Sequence, residues 1–245
     1  MDLFLITGGS RGLGQALVLE AAQAGHKVLA FTRTALKEEK NIKSIHCRLE
    51  ELERMEAAME IAFRGLKLES YSSVHLINNA GVVDPVGFVE EMKLEEVKNN
   101  IEVNLLAPIM MTTSFLKRTR DFQGFRTIVN VSSGVATHPK ANWSAYSAAK
   151  AGLRAFSLAL ADELEKASKT KVLSFSPGIM DTEMQAGLRR QSEKNFPDVQ
   201  KFIDYKEQGH LLSAEVVAKK LIEILSSPQD LTRVDVSIRE LLERR

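Results

Sequence analysis

The sequence predicts a single α/β domain built on a doubly wound parallel sheet with helices on both faces, and three observations carry that prediction. Short apolar runs of strand length alternate with longer segments of helical period from residue 3 onward. A glycine-rich turn joins the first run to the first helical segment. No Pro/Gly/Ser-rich linker, low-complexity tract or internal repeat breaks the alternation, so the whole span 1–245 is expected to form one domain.

The strand runs lie at 3–7, 27–31, 44–47, 74–78, 127–132, 171–176 and 234–237, and most read as buried on both faces. Helical periodicity falls at 14–24, 49–63, 94–120, 145–167 and 214–226, the last with its apolar stripe in the run 221–225. One stretch departs from the pattern. Residues 181–212 are polar, lack a strand, hold Gly187, Pro197 and Gly209, and follow the Pro177-Gly178 break. An insert just beyond a strand's carboxyl end is expected to act as a lid over the crevice where open α/β sheets bind ligands, with a solvated surface excursion as the alternative.

Composition narrows the function classes. Hydrophobic residues are 44% and charged residues 27% of the chain, ordinary globular usage that excludes disordered, collagen-like and disulfide-scaffold proteins. Lys+Arg of 33 against Asp+Glu of 32 leaves a net charge of +1, so no global field draws nucleic acid or an anionic membrane. Cys47, the single cysteine, excludes an internal disulfide and fits a reducing compartment. The start of the chain lacks the basic region and cleavage site of a signal peptide, and no run reaches the roughly 18 apolar residues of a membrane span. A soluble, cytoplasmic protein is expected.

Directly after the first strand comes Thr7-Gly8-Gly9-Ser10-Arg11-Gly12-Leu13-Gly14. Glycines let a backbone turn tightly and approach a pyrophosphate, whose charge is held by free N–H groups and the positive end of the following helix. Gly8, Ser10, Arg11, Gly12, Leu13 and Gly14 are therefore expected to hold a dinucleotide. At the end of the second strand, Phe31-Thr32-Arg33-Thr34 places no carboxylate where NAD would need one for its ribose 2′-hydroxyl. Arg33 and Arg11 suit a 2′-phosphate instead, which favours NADPH; solvated surface arginines are the alternative.

The chemistry is expected at Ser133, which ends the fifth strand, and at Tyr146 and Lys150 on the helix after it. Four residues apart on a helix, Tyr146 and Lys150 share a face, so the ammonium can stand near the phenol and lower its pKa from about 10 toward the working range. Ser133 can hydrogen-bond a carbonyl oxygen where negative charge develops. Each residue alone has an ordinary structural explanation; the set, thirteen residues after a strand-end serine and downstream of a nucleotide loop, points to hydride transfer.

These residues resemble the short-chain dehydrogenase/reductase family over essentially the whole chain. The matches are Thr7-Gly8-x-x-x-Gly12-x-Gly14, Asn78-Asn79-Ala80-Gly81, Asn104, Ser133, Tyr146-x-x-x-Lys150 and Pro177-Gly178-x-x-x-Thr182. The resemblance implies a Rossmann-type seven-stranded sheet in the order 3-2-1-4-5-6-7. It implies Tyr146 as proton donor, Lys150 also on the nicotinamide ribose, Ser133 orienting the carbonyl, and Asn104 holding a water that links Lys150 to solvent. It places Asn79, Ala80 and Gly81 on the adenine side, and Pro177, Gly178, Ile179 and Thr182 at the nicotinamide. Within the family, the run Asp181-Thr182-Glu183-Met184-Gln185 is similar to reductases of sepiapterin-like and benzil-like carbonyls. By that likeness Asp235 is expected to anchor substrate amines, with an ordinary surface carboxylate as the alternative.

Trp143 and Met184, with Met180 and His138 nearby in the chain, are expected to wall a pocket for a moderately large apolar or aromatic substrate, Trp143 being equally explicable as packing. The expected reaction is NADPH-dependent reduction of a ketone or 1,2-dicarbonyl. A 3-oxoacyl thioester, a sugar or a steroid ketone is the alternative substrate, and a non-catalytic NADP-sensing module the alternative class. Family habit implies a homodimer or homotetramer through the helices at 94–120 and 145–167. One departure stands out: Arg48-Leu49 follows the third strand where many relatives have Asp-Leu, which puts the adenine contact in question. The scattered histidines 26, 46, 75, 138 and 210 have no ligand spacing, so no metal is expected. Ser133 has neither a Gly-x-Ser-x-Gly elbow nor a histidine base, which argues against acyl transfer. The acidic run 49–56 reads as a solvated helix face.

Overall fold

The computed structural model describes residues 1–37, 39–164 and 169–243. Seven strands, β1 (Leu3–Thr7), β2 (Lys27–Thr32), β3 (Ile42–His46), β4 (Ser73–Asn78), β5 (Phe125–Val131), β6 (Thr170–Ser176) and β7 (Asp235–Ser237), form one sheet in the order β3-β2-β1-β4-β5-β6-β7. Every neighbouring pair is parallel. Such a sheet needs a crossover after each strand; helices supply it on both faces at every step but β2 to β3, where no helix lies among the described residues of 33–41.

The alternation of β1 shows why its whole run is apolar. Phe4 and Ile6 enter the core formed with α1 (Gly12–Gln23) and α8 (Ala214–Leu225), while Leu3 and Leu5 enter the core formed with α2 (Leu52–Phe63), α4 (Ala107–Arg118) and α5 (Ser144–Leu164). A strand buried on both faces has no polar side to show. The strand bounds differ from the expected ones by two residues at most. Residues 165–167 of the expected helix over 145–167 lie outside the described residues.

The expected helix over 94–120 is broken into three. After α3 (Leu94–Ile101), a π-helical turn at Glu102–Leu106 precedes α4, and the Ala107 N–H bonds back to the Glu102 carbonyl five residues earlier. Pro108 has no N–H to offer the Asn104 carbonyl, so the ordinary ladder cannot run through this point.

Residues 181–212 are not the polar excursion their composition implies. They contain α6 (Glu183–Arg189) and α7 (Val199–Glu207), and bury Leu188, Phe196, Val199 and Phe202. Their two ends are stitched together: Met180 and Leu212 form a parallel bridge, with Asp181 N–H to the Leu212 carbonyl and Leu212 N–H to the Ile179 carbonyl, both at 3.0 Å. Asp181 also pairs with Lys206 of α7. A short helix, α9 (Ile238–Glu243), follows β7 unforeseen, and its Ile238 packs beneath the Pro177-Gly178 turn. Among the described residues no helix is long and apolar enough to cross a membrane.

Candidate active site

The glycine turn packs at backbone distances. Gly8 and Gly12 take left-handed φ values of +69° and +53°, which glycine alone adopts at no steric cost. A Cβ on Gly14 would stand 2.2 Å from the Gly8 carbonyl oxygen, and one on Gly8 would stand 2.9 Å from the Cα of Ala80. The turn is fixed to the end of β4: the Thr7 hydroxyl accepts from the N–H groups of Asn79 (3.0 Å) and Ala80 (3.1 Å), and the Asn79 amide donates to the Thr7 carbonyl at 3.0 Å. No side chain caps the start of α1, so its first-turn N–H groups have no side-chain acceptor. Leu13 turns its side chain into the core, leaving only its backbone to the loop, while Ser10 is half-buried. Thr182 comes within 3.5 Å of the place a Gly12 Cβ would occupy, which brings the start of α6 to the glycine turn.

Arg11 and Arg33 are exposed, and neither is ion-paired among the described residues. Arg48 lies at the end of β3 in the local embrace of Glu50 (2.9 Å) and Glu51 (3.2 Å). Gly178 holds φ at +76°, turning the chain after the buried Pro177 toward half-buried Ile179.

Ser133 opens a short 3-10 turn at the end of β5, and Tyr146 and Lys150 lie on the inner face of α5, 8% and 4% exposed. The Lys150 ammonium donates to the Val131 carbonyl at 2.8 Å and stands 5.8 Å from the centre of the Tyr146 ring. Burial lowers the Lys150 pKa to about 8. Burial also raises the Tyr146 pKa, and a hydrogen bond with Ser133 opposes it. The phenol is therefore shifted upward, opposite to the expected direction. The cation is bonded to β5 and faces the ring, and loss of hydration on burial sets the direction for the phenol.

Asn104, fully buried in the π-helical turn, is held on three sides. Its amide donates to the carbonyls of Val82 (2.7 Å) and Asn100 (3.0 Å), and its oxygen accepts from Val82 N–H at 3.2 Å. A Cβ on Gly81 would stand 2.9 Å from that oxygen and 3.7 Å from the Lys150 nitrogen. Gly81 thus leaves Asn104 and Lys150 on either side of a gap too narrow for any other side chain.

Trp143 belongs to an aromatic cluster beside Tyr146. Its ring meets Tyr146 edge-on at 6.0 Å and stacks on Phe196 at 5.3 Å, with Phe202 at 5.6 Å. Lys140, just before the helix, reaches Asp198 at 3.0 Å and so ties 181–212 to the catalytic segment. Phe196 and Phe202 were not legible as site residues, although Phe196, Val199 and Phe202 recur every third position. Met184 and His138 are exposed and lie outside this cluster, whereas Met180 lies in the stitched neck, packed against the core beneath β6.

Asp235 does share a cleft with Ser133, of about 170 Å³ and lined also by Ser132, Ser174, Ser237 and Arg154. Its carboxylate is not free as expected. Arg154, two turns beyond Tyr146 on the same face of α5, takes both oxygens, with Nε to Oδ1 at 3.1 Å and Nη2 to Oδ2.

A turn shaped for a pyrophosphate, beside a half-buried serine and a buried phenol and ammonium at the carboxyl ends of parallel strands, places the chain among the α/β oxidoreductases. More narrowly, it belongs to the short chain dehydrogenase family, whose model matches residues 2–193. The chain is 38% identical to the benzil reductase ((S)-benzoin forming) of Bacillus subtilis (strain 168), covering 99% of this chain and 100% of the relative. It is 32% identical to the sepiapterin reductase of Xenopus tropicalis, over 92% of this chain and 91% of that one. Among solved structures, the KRED1-Pglu enzyme superposes with a TM-score of 0.82 at 30% identity, covering 96% of this chain and all of its own (100%).

Proposed function

We propose that this oxidoreductase is an NADPH-dependent carbonyl reductase that converts a ketone or 1,2-dicarbonyl of the benzil or sepiapterin kind to the alcohol. The observation that carries the reading is the convergence of Ser133, Tyr146 and Lys150, with Asn104 across Gly81 from the lysine. The likeness to relatives named for benzil and sepiapterin supports the substrate class.

The residues present fit a dinucleotide. Gly8, Gly14 and Gly81 lie where any Cβ would collide, and the first turn of α1 keeps N–H groups for phosphate oxygens. Gly8, Ser10, Arg11, Gly12, Leu13 and Gly14 would hold the pyrophosphate, Arg11 and Arg33 the 2′-phosphate, Asn79, Ala80 and Gly81 the adenine side, and Pro177, Gly178, Ile179 and Thr182 the nicotinamide end, with Lys150 on its ribose. When bound, the cofactor supplies a hydride to the carbonyl carbon.

The chain's own part is orientation and proton transfer. Ser133 donates to the carbonyl oxygen and fixes it within reach of the phenol. Tyr146, kept protonated at neutral pH by burial, gives its proton to that oxygen as negative charge grows. The Lys150 ammonium stabilises the phenolate left behind and returns a proton to it, and Asn104 holds the water that reloads the lysine. Trp143 and the aromatic cluster exclude bulk water and receive an aryl group, with 181–212 as the lid and Met184 at its edge. We further infer one domain throughout, a cytoplasmic location in keeping with the lone buried Cys47, and a homodimer or homotetramer joined through the helices of 94–120 and 145–167.

The test is turnover of benzil with NADPH by the purified protein, followed by cofactor oxidation and recovery of benzoin. NADPH binding without oxidation across dicarbonyls, 3-oxoacyl thioesters, sugars and steroid ketones would make the chain a sensing module instead.

A further inference from the structure

The cleft behind Ser133 differs in chemistry from the aromatic cluster on the other side of Tyr146. Its walls are hydroxyls: Ser132, Ser133, Ser174 and Ser237, in addition to the two carboxylates Asp235 and Glu240 and the guanidinium of Arg154. Ser132 is 4% exposed, and its hydroxyl oxygen has no hydrogen-bond partner among the described residues. A buried hydroxyl left unpaired costs on the order of 1–3 kcal/mol, so a polar group entering the cleft would recover that loss. At about 170 Å³ the cleft has room for a substituent of several non-hydrogen atoms.

The charges in this wall are already spent on one another. Arg154 forks onto both oxygens of Asp235, and Glu240 is bound by Arg233 at 2.7 Å. Two anions and two cations leave the surface without a net sign. A cationic arm entering here would meet a carboxylate whose charge Arg154 neutralises, and an anionic arm a guanidinium whose charge Asp235 neutralises.

We propose that this cleft is a polar subsite for one arm of the carbonyl substrate, and that Arg154, by engaging both oxygens of Asp235, sets it for an uncharged hydrogen-bonding arm and against charged ones. The proposal rests on the carbonyl-reductase reading for its substrate and deepens it. The substrate class becomes bipartite: an aryl group toward Trp143 and, across the reacting carbonyl, a hydroxyl- or amide-bearing arm toward Ser132. Arg154 acts through Asp235 and is a specificity-positioning residue, so its effect falls on affinity and KM for substrates that carry an arm.

The experiment measures binding and turnover separately. Benzoins carrying a hydroxymethyl, an aminomethyl or a carboxylate substituent are titrated against the wild type, Arg154→Leu, Asp235→Asn and the double variant, with quenching of Trp143, the single tryptophan, as readout. The wild type is expected to bind the hydroxymethyl compound most tightly. Arg154→Leu frees the carboxylate and should favour the aminomethyl compound by about tenfold, Asp235→Asn frees the guanidinium and should favour the carboxylate by about as much, and the double variant should restore the wild-type order. If Arg154→Leu does not fold, Asp235→Asn decides alone. Affinities that stay in the wild-type order in the single variants overturn the subsite. Benzil reduction, followed in the same proteins, reports on the reductase reading: turnover with an unchanged binding order sinks the subsite only, and an inverted order without turnover sinks the reductase only.

Discussion

The Lys150 ammonium is tethered to the Val131 carbonyl at 2.8 Å, so the cation that faces the Tyr146 ring is anchored to β5. Its burial lowers its pKa from the ordinary 10.5 to about 8. The group therefore loses its charge as pH rises through about 8, and kcat/KM for reduction is expected to fall above that pH. Lys150→Arg should push the limb to higher pH, since guanidinium keeps its proton. An identical limb in that variant would remove Lys150 from the explanation.

The same burial has a stability consequence of determined sign. Between about 8 and 10.5 the unfolded chain binds more protons at residue 150 than the folded one, so stability rises with pH across that window. Urea unfolding at several pH values should show the rise in the wild type and lack it in Lys150→Met.

Tyr146→Phe removes the proposed proton donor and leaves the packing beside Trp143. Turnover is expected to drop on the order of 10²- to 10⁴-fold, with the melting temperature nearly unchanged. Stopped-flow reduction with saturating NADPH reads the chemical step directly, and near-normal turnover would mean that another group supplies the proton.

Gly14→Ala places a methyl group 2.2 Å from the Gly8 carbonyl oxygen. It should cost about 1–3 kcal/mol of stability and weaken cofactor binding. Gly187→Ala is the contrast: its methyl group would come no nearer than 3.8 Å to another side chain, inside α6, and a stabilisation of about 0.4–1 kcal/mol is expected. Calorimetry on both separates a close backbone approach from a generic glycine effect.

Arg33→Ser and Arg11→Ser should each lower the preference for NADPH over NADH by about tenfold or more, read as the ratio of kcat/KM values. A ratio that does not move in either variant would return both arginines to the solvated surface.

Much of this was legible in the chain. Residues Leu3 to Thr7 could form only a doubly buried strand, and the glycines after them required a turn against a neighbouring backbone. The Tyr146–Lys150 pair followed from helical geometry alone. What escaped depended on contacts between distant segments. The helix over 94–120 breaks at Pro108, and the turn there gives Asn104 to Val82, twenty-two positions earlier, a contact no local pattern shows. Phe196 and Phe202 were hidden by the lysines, glutamates and asparagine around them, and their partner Trp143 lies on another element. The upward shift of Tyr146 was illegible for the same reason: helical spacing gives nearness to a cation and says nothing of how much water remains.

The bridge between Met180 and Leu212 closes residues 181–212 into a loop whose ends meet at one point above β6. The segment leaves and rejoins the sheet at that single neck, and its inner side chains, Phe196 and Phe202, rest on Trp143 beside Tyr146. A strain applied along those residues therefore reaches the sheet through that hinge and reaches the phenol through a stack of rings.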